Sequence, residues 1–216
     1  LVEVDMDPYQ DGKYDKYVTQ IEKSLSDKSM GGGEILGLLA RMSLVALHGW
    51  LDEGYKWQNA LTGGESVEIV WSEDETKKTV TKKLAVPEFR APKLVACAKR
   101  IAAQRHCGHI IFCEPTAVHA WMREVLVQEG VPRERIAILN AEVTKPADRI
   151  RIAREFNGLP AEAPQTDEGC AIRGGPDTEL APKFDVVIAN SVAYEGVDLQ
   201  VRTCTIHHLD LPWTPS

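Results

Sequence analysis

The chain has 216 residues, 44% of them hydrophobic, which is enough to bury one core with additions or two small cores. Its 25 Lys and Arg against 32 Asp and Glu give a formal net charge of −7, which argues against a protein that coats nucleic acid nonspecifically but leaves room for a local basic groove. No apolar run approaches the ~18 residues of a membrane span and no signal peptide is evident, so we expect no membrane partner and a cytoplasmic location.

Residues 1–88 are predicted to form a helical region followed by a β-hairpin. Apolar residues recur at helical spacing in 14–25 and again in 35–46, with a glycine run between them. Within 66–84, two stretches of alternating apolar and polar residues flank the polar turn SEDET, which is typical of a hairpin. The simplest interpretation of the helices is a small bundle, and the hairpin fits either an accessory insertion or a strand pair that lies against the helices.

Residues 89–216 are predicted to form an α/β domain. Short apolar strands at 109–113, 135–139 and 185–189 are separated by segments that include amphipathic helices, and a further apolar stretch follows at 203–206. Strands and helices that alternate at these lengths imply a parallel sheet with right-handed crossovers. The fold class predicted for the chain is therefore α/β, with a parallel sheet, flanking helices and a helical N-terminal region.

The connection at 158–183 is predicted to be a loop insertion. It has no apolar period and it is rich in Gly, Pro and acidic residues. It also far exceeds the ~4–6 residues of an ordinary connection. Both a surface loop and a lid over a site fit this composition.

Neither the cysteines nor the histidines predict a metal site. The cysteines are odd in number, form no CxxC pair and mostly lie in apolar periodic segments, so we expect reduced core residues of a cytosolic protein. His207 and His208 are neighbours on a strand, where successive side chains point to opposite faces, and no second ligand pair has suitable spacing. The five cysteines are Cys97, Cys107, Cys113, Cys170 and Cys204.

Four segments resemble, in helicase order, motifs of superfamily-2 helicases and Swi/Snf-type DNA translocases. Motif IV and its helix are similar to 109–130 (HIIFCEPTAVHAWMREVLVQEG), and the strand, polar turn and arginine-bearing helix that follow are similar to 138–158 (ILNAEVTKPADRIRIAREFNG). Motif V is similar to 188–200 (IANSVAYEGVDLQ), and the segment that leads into motif VI is similar to 207–216 (HHLDLPWTPS). The helices of the N-terminal region resemble the entry into the second lobe of Swi/Snf-type translocases, with Gly49 where the family has proline.

The resemblance implies the second RecA-like lobe of an ATP-dependent DNA helicase or translocase. In that family, ATP and Mg²⁺ bind between two lobes, and ATP turnover moves the protein along DNA; these residues do not distinguish DNA from RNA. The chain has no GxxxxGK[ST] loop and no acidic box of the helicase kind. The resemblance therefore implies a separate first lobe that shares the ATP and motif-VI arginines beyond Ser216. We expect no catalytic residue, no tightly bound cofactor and no ATP hydrolysis from these residues alone.

The resemblance also assigns two sets of site residues. Glu195, Gly196 and Asp198 match positions that face the nucleotide, although Glu195 also fits a solvated turn. Asn190 and Ser191 take the places of a threonine and its polar partner that contact the nucleic-acid backbone; both also fit residues that only cap a turn. The other residues expected on the nucleic-acid track follow earlier strands, and they are Thr116, Asn140, Lys145 and Arg149.

Two other function classes stay open at the level of the sequence. A helicase-like lobe can serve as a noncatalytic scaffold or protein-binding module, and a basic track with open turns at Asn190 and Asp198 would favour the translocase instead. One lobe of a two-lobed glycosyltransferase is also a nucleotide-binding α/β fold, but the helicase order of the matching motifs disfavours it.

Overall fold

The computed structural model describes residues 2–27, 31–49, 51–53, 66–73, 76–83, 91–159, 181–193 and 197–210. The backbone divides into two compact units, one comprising Leu1–Ala98 with Ala120–Val125 and the other Lys99–His119 with Leu126–Ser216. The domain boundary predicted after residue 88 falls outside the described residues, and so does most of the loop insertion predicted at 158–183.

The first unit begins with the two predicted helices, α1 (Pro8–Asp27) and α2 (Gly32–Leu47), followed by a 3₁₀ turn at Leu51–Glu53. Asp7 fixes the start of α1, because its carboxylate accepts hydrogen bonds from the backbone N–H groups of Tyr9 (2.8 Å) and Gln10 (3.2 Å). At the start of α2, the carboxylate of Glu34 accepts the N–H of Gly31 at 3.0 Å. Both helices therefore begin where a side chain satisfies otherwise unpaired backbone donors.

Buried and partly buried polar contacts join α1 to α2 and to the segment that follows it. The amide of Gln10 donates to the carbonyl of Val45 at 2.8 Å, and both residues are buried. Asp52 accepts hydrogen bonds from Lys13 Nζ (2.8 Å) and from the hydroxyl of Tyr17 (2.7 Å). Burial and the carboxylate of Asp52 together raise the pKa of Tyr17. These contacts hold the helical pair in one register.

The predicted hairpin is confirmed. It consists of β1 (Ser66–Glu73) and β2 (Thr76–Lys83), which pair antiparallel from Ser66 opposite Lys83 to Glu73 opposite Thr76.

The second unit is built on a sheet of four parallel strands, as the sequence predicts. The strands are β3 (Gly108–Phe112), β4 (Ile136–Leu139), β5 (Val186–Ala189) and β6 (Thr203–His208), in the spatial order β4-β5-β3-β6. The remaining helices are α3 (Pro92–Ala103), α4 (Thr116–Gln128) and α5 (Pro146–Phe156), of which α5 lies wholly in the second unit, whereas the residues of α3 and α4 are divided between the two units. The chain is therefore α/β.

Burial explains the strand pattern. All four residues of β5 are buried, which accounts for its continuous apolar run, since a central parallel strand is covered on both faces. Ile110, Leu139 and Val187 form a core cluster with Ile152 and Phe156 of α5. The sheet and α5 thus share one hydrophobic core.

Helix ends in the second unit follow ordinary capping chemistry. Gly130, after α4, has φ of 92°, and the N–H of Val131 donates to the carbonyl of Leu126 at 3.0 Å. A glycine with positive φ that follows the last turn is a common way for a helix to end. α5 begins at Pro146, whose fixed φ suits a first helical position, and Gly158 (φ 73°) follows its C-terminal end.

Asp185 connects the amino-terminal ends of the four parallel strands. It precedes β5, and its carboxylate accepts hydrogen bonds from Arg135 Nε (2.8 Å), just before β4, and from Arg202 Nη2 (2.9 Å), just before β6. Its carbonyl accepts the N–H of His109 in β3 at 2.8 Å. Burial by itself raises the pKa of Asp185, but the hydrogen bonds from the two guanidinium groups outweigh it and lower the pKa below 3.8. The carboxylate is therefore ionised at neutral pH.

The structure corrects one prediction about the cysteines. Cys107 and Cys204, expected to be reduced core residues, form a disulfide with Cα atoms 6.0 Å apart. They lie 97 residues apart in sequence, but β3 and β6 are neighbours in the sheet and bring them together. Cys204 is also exposed, whereas Cys97 and Cys113 are buried and lie outside the disulfide. Cys170 is outside the described residues.

Candidate functional site

The carboxyl ends of the parallel strands carry a connected set of polar side chains. Glu114 follows β3 and Ser191 follows the neighbouring strand β5. The carboxylate of Glu114 accepts the backbone N–H of Ser191 at 3.0 Å and its hydroxyl at 2.7 Å. The hydroxyl of Thr116 likewise donates to the carboxylate of Glu142, which follows β4, at 2.7 Å. Three strand ends are thus joined at one edge of the sheet, which is where open α/β folds bind ligands.

Asn140 shapes the turn after β4. It is buried, and its side-chain oxygen accepts the backbone N–H groups of Glu142 and Val143, each at 2.9 Å. Its amide nitrogen lies 2.9 Å from Nδ1 of His119. An asparagine that bonds to the backbone two and three residues ahead is a turn-forming residue. Asn140 therefore positions Glu142 through contacts within the chain.

His119 is a buried neutral base beneath this edge. Its Nε2 lies 2.7 Å from the carbonyl oxygen of Cys113 and donates to it, so Nδ1 is the acceptor for the amide of Asn140. Burial lowers the pKa of His119 below 6.5 and outweighs the opposing effects of the Cys113 carbonyl and of the carboxylates of Glu142, Asp210 and Glu114. At neutral pH, the uncharged ring therefore holds the Cys113 carbonyl and the Asn140 amide in place through these two hydrogen bonds.

Three carboxylates give the edge an acidic character. Besides Glu114 and Glu142, Asp210 follows β6, and its carboxylate accepts the backbone N–H of Glu114 at 3.0 and 3.2 Å. The hydroxyls of Ser191 and Thr116 donate to two of these three groups. A phosphate at this edge would have to compete with the carboxylates for both hydroxyl hydrogens.

The predicted cationic residues lie at the start of α5. Lys145 is the N-cap residue of that helix and is exposed, and Arg149 is half-buried in the first turn. The next arginine along the helix, Arg151, is paired with Asp148 and Glu155 at 3.0 Å each. Lys145 is therefore the more accessible of the two cations predicted for the nucleic-acid track.

The remaining predicted residues fall into two groups. Asn190 is buried directly after β5, and its carbonyl accepts the N–H of Ala193 in a 3₁₀ turn at 2.9 Å. Asp198 belongs to a separate contact, in which its carbonyl accepts the side-chain N–H of Asn157 at 2.8 Å at the end of α5. Its carboxylate accepts the N–H of Gln200 at 3.0 Å. Glu195 and Gly196 lie outside the described residues.

The hydrogen bonds therefore link Thr116 and Asn140 through Glu142, and they hold Ser191 through Glu114. They do not join Asp198 to this set. Four groups that organise the edge were not predicted as site residues, although Glu114 and Glu142 lie in the turns after apolar strands that were expected to contact DNA, and such turns converge in a parallel sheet. The missed residues are Glu114, His119, Glu142 and Asp210.

Comparisons with known proteins give no family for this chain. A scan against protein families found no match, and no curated protein matches it. Among the described helices, none is both long enough and apolar enough to cross a bilayer.

Proposed function

We propose that the chain is the second motor lobe of an ATP-dependent DNA helicase or translocase, with the carboxyl edge of its sheet as part of the nucleic-acid track. The observation that carries this proposal is the convergence of turns that are distant in sequence. Ser191 and Thr116, which the sequence resemblance links to the nucleic-acid backbone, both lie at strand ends that hydrogen bonds join at one edge.

The chemistry expected of such a lobe is positioning rather than bond cleavage. Hydroxyl groups and exposed lysines at strand ends can donate to phosphate oxygens and hold a nucleic-acid backbone without reading its sequence. ATP and Mg²⁺ would be shared with a first lobe that carries the phosphate loop, and the turn at Asp198 would line the nucleotide side.

The acidic edge sets the expected strength of binding. Glu114 and Glu142 repel phosphates and hold the two hydroxyls that would bind them. Together with a net charge of −7, this predicts weak binding by the chain alone, on the order of the ~10⁻⁴ M end of nonspecific affinities, with a steep decline as salt is added.

Replacing both acids tests the proposal. At a distance of ~6 Å in water, each carboxylate repels a phosphate charge by about 0.7 kcal/mol. Glu114→Gln with Glu142→Gln should therefore tighten DNA binding about tenfold. The measurement is an NMR titration of the isotope-labelled chain with a short DNA at several salt concentrations. The matched control is Glu3→Gln with Glu22→Gln, which removes the same charge from exposed positions in the helical region.

Ser191→Ala with Thr116→Ala, made in the Glu114→Gln and Glu142→Gln background, should reverse much of the gain. If the acid-to-amide variant binds DNA no better than its control, the track does not cross this edge. Shifts confined to other residues would refute the proposal in the same way.

A second candidate function is a noncatalytic protein-binding module with the same fold. The specific observation in its favour is that the hydroxyls of Ser191 and Thr116 are both held by carboxylates of the chain itself. An acidic edge of this kind suits a basic protein partner better than a phosphate. DNA binding that is undetectable at low salt, in the chain and in the amide variant alike, would favour this second candidate.

A further inference from the structure

A second cluster of reactive side chains lies on β3 and β6, among residues that the proposed function does not use. Cys107 immediately precedes β3, His109 lies within it and Cys204 lies in β6. The potential ligand atoms of these three residues all lie within 4.8 Å of one another. Sγ of Cys107 is 3.8 Å from Nε2 of His109. In the structure, the two sulfur atoms form the disulfide described above.

A break in the strand register produces this arrangement. Gly108 pairs with Thr203 but the next residue, His109, pairs with Thr205, so Cys204 is an extra residue without a counterpart on β3. Such a bulge re-aims the side chain of the inserted residue. The chain bends at Cys107, just before β3, and its Sγ lies 3.8 Å from Nε2 of His109, so the two side chains lie side by side. The bulge thus adds Cys204 to a face that already carries a thiol and an imidazole.

The spacing suits a tetrahedral metal ion. With Zn–S of about 2.3 Å and Zn–N of about 2.0 Å, tetrahedral geometry separates a sulfur ligand from a nitrogen ligand by about 3.5 Å. The observed separation of 3.8 Å between Cys107 and His109 is close to this value. On the same basis, two thiolates on one zinc ion lie about 3.8 Å apart, so the disulfide bond must open before a metal can bind.

His207 supplies the outer hydrogen bond that a metal-bound imidazole usually makes. Its Nε2 lies 3.2 Å from Nδ1 of the fully buried His109. In the neutral tautomer that carries its hydrogen on Nδ1, His207 can accept a hydrogen bond through Nε2. An imidazole that binds a metal through one nitrogen typically donates its other N–H to such an acceptor.

The remaining contacts define the competing, metal-free state. Nε2 of His109 lies 2.8 Å from the carbonyl of Gln104 and donates to it when no metal is bound. A metal ion would take the place of that proton, and His109 would then carry its hydrogen on Nδ1, facing His207. Cys204 is exposed and Cys107 is half-buried, so an ion can reach the cluster from solvent.

We propose that the dithiol form of Cys107 and Cys204, together with Nε2 of His109, binds Zn²⁺, and that disulfide formation abolishes this site. Two thiolates and an imidazole are the ligand types that zinc prefers, and three protein ligands leave one position for water. Reduction adds two electrons and two protons to the S–S bond; the donor is a dithiol, which is itself oxidised to a disulfide. Zn²⁺ then displaces both thiol protons.

The test compares the full chain in its two redox states. The chain is reduced, and the reductant is then removed under anaerobic conditions. The reduced chain is titrated with Zn²⁺ in competition with a chromogenic chelator. A separate titration with Co²⁺ records the absorption spectrum of the bound metal. We expect about one Zn²⁺ per reduced chain and a thiolate-to-cobalt charge-transfer band, with neither in the disulfide form.

Variants locate the site within the chain. Cys204→Ser should abolish the charge-transfer contribution of that sulfur and weaken Zn²⁺ binding by more than 100-fold, whereas His207→Phe, which removes only the outer acceptor, should weaken it about 10–100-fold. Cys97→Ser with Cys170→Ser is the matched control and should bind like the parent chain.

The proposal is wrong if the reduced chain binds no more Zn²⁺ than Cys204→Ser, if the disulfide form binds equally well, or if the control variant loses binding. Cys107→Ser is a second variant that removes one sulfur ligand. Far-ultraviolet circular dichroism shows whether each variant is folded. Should both serine variants unfold, the comparison of the two redox states of the parent chain still decides.

Discussion

The contact at Asp185 gives the sharpest test of what holds the sheet together. Asp185→Asn keeps the size of the side chain and one acceptor oxygen, but it removes the negative charge that faces Arg135 and Arg202. Both arginines also donate to backbone carbonyls, Arg202 to that of Phe184 at 2.7 Å and Arg135 to that of Pro182. They will therefore stay in place and face an uncharged amide.

The cost follows from burial. The side chain of Asp185 is 7% exposed, while Arg135 is 32% and Arg202 19% exposed. Removing one partner of a fully buried ion pair costs about 3–5 kcal/mol, and an exposed pair is worth about 0–1 kcal/mol. With a buried acid and two partly solvated arginines, we predict a loss of about 2–4 kcal/mol, a large share of the ~5–15 kcal/mol of a typical domain.

Urea unfolding followed by circular dichroism measures this loss, and amide hydrogen exchange in β3, β4 and β5 assigns it to the sheet. The control is Asp148→Asn, which removes the same charge from a helical pair with Arg151 in which both side chains are more than 40% exposed. That change should cost less than about 0.5 kcal/mol. Equal losses in the two variants would refute the argument that burial decides the value.

The dependence on pH provides a second check with a definite sign. Because the pKa of Asp185 in the folded chain lies below its ordinary value of 3.8, its contribution is fully present above that pH and is lost as pH falls through the folded value. The difference in unfolding free energy between the parent and Asp185→Asn should therefore be constant near neutrality and shrink in acid.

Two further predictions concern close packing and a buried base. At Gly108, an added Cβ would lie 2.5 Å from Cζ of the buried Phe156, so Gly108→Ala should lower the free energy of unfolding by about 1–3 kcal/mol. At Gly37, in the middle of α2, an added Cβ would have nothing within 4 Å, so Gly37→Ala should raise the free energy of unfolding by about 0.4–1 kcal/mol. Urea unfolding of both variants distinguishes crowding at Gly108 from a general effect of replacing glycine. Because burial lowers the pKa of His119 below 6.5, the ring becomes protonated in the unfolded chain at a pH where it is still neutral in the folded chain. The free energy of unfolding should therefore fall below pH 6.5, by at most about 1.4 kcal/mol per pH unit. An NMR titration in which the ring of His119 gains its proton at or above pH 6.5 would contradict this.

Periodicity was sufficient to predict the elements and the parallel sheet, because burial on both faces leaves a continuous apolar run such as that of β5. It was not sufficient to predict the strand order. β6 is the last strand that the structure describes, yet it pairs with β3 rather than with β5. That choice depends on contacts between distant segments, which a periodic pattern does not encode.

The same limit explains what was missed at the candidate site and at the cysteines. The turns that end β3, β4 and β5 were predictable as positions, but the pairing of Ser191 with Glu114 depends on which strands are neighbours. The disulfide depends on the neighbouring strands and on a one-residue bulge at Cys204. Neither the adjacency nor the bulge leaves a trace in the spacing of cysteines along the sequence.

The two edges of the sheet differ in chemistry. At the amino-terminal edge, the buried carboxylate of Asp185 pairs with two guanidinium groups. Replacing these partners with a ligand would greatly lower the stability of the fold. At the carboxyl edge, the bonds from Ser191 and Thr116 to Glu114 and Glu142 are exposed, and such bonds contribute only about 1 kcal/mol net each. A ligand can therefore replace them at little cost, while the ion pairs keep the strands in place. It follows that Glu114→Gln should alter ligand binding more than the free energy of unfolding. Asp185→Asn should alter the free energy of unfolding more than ligand binding.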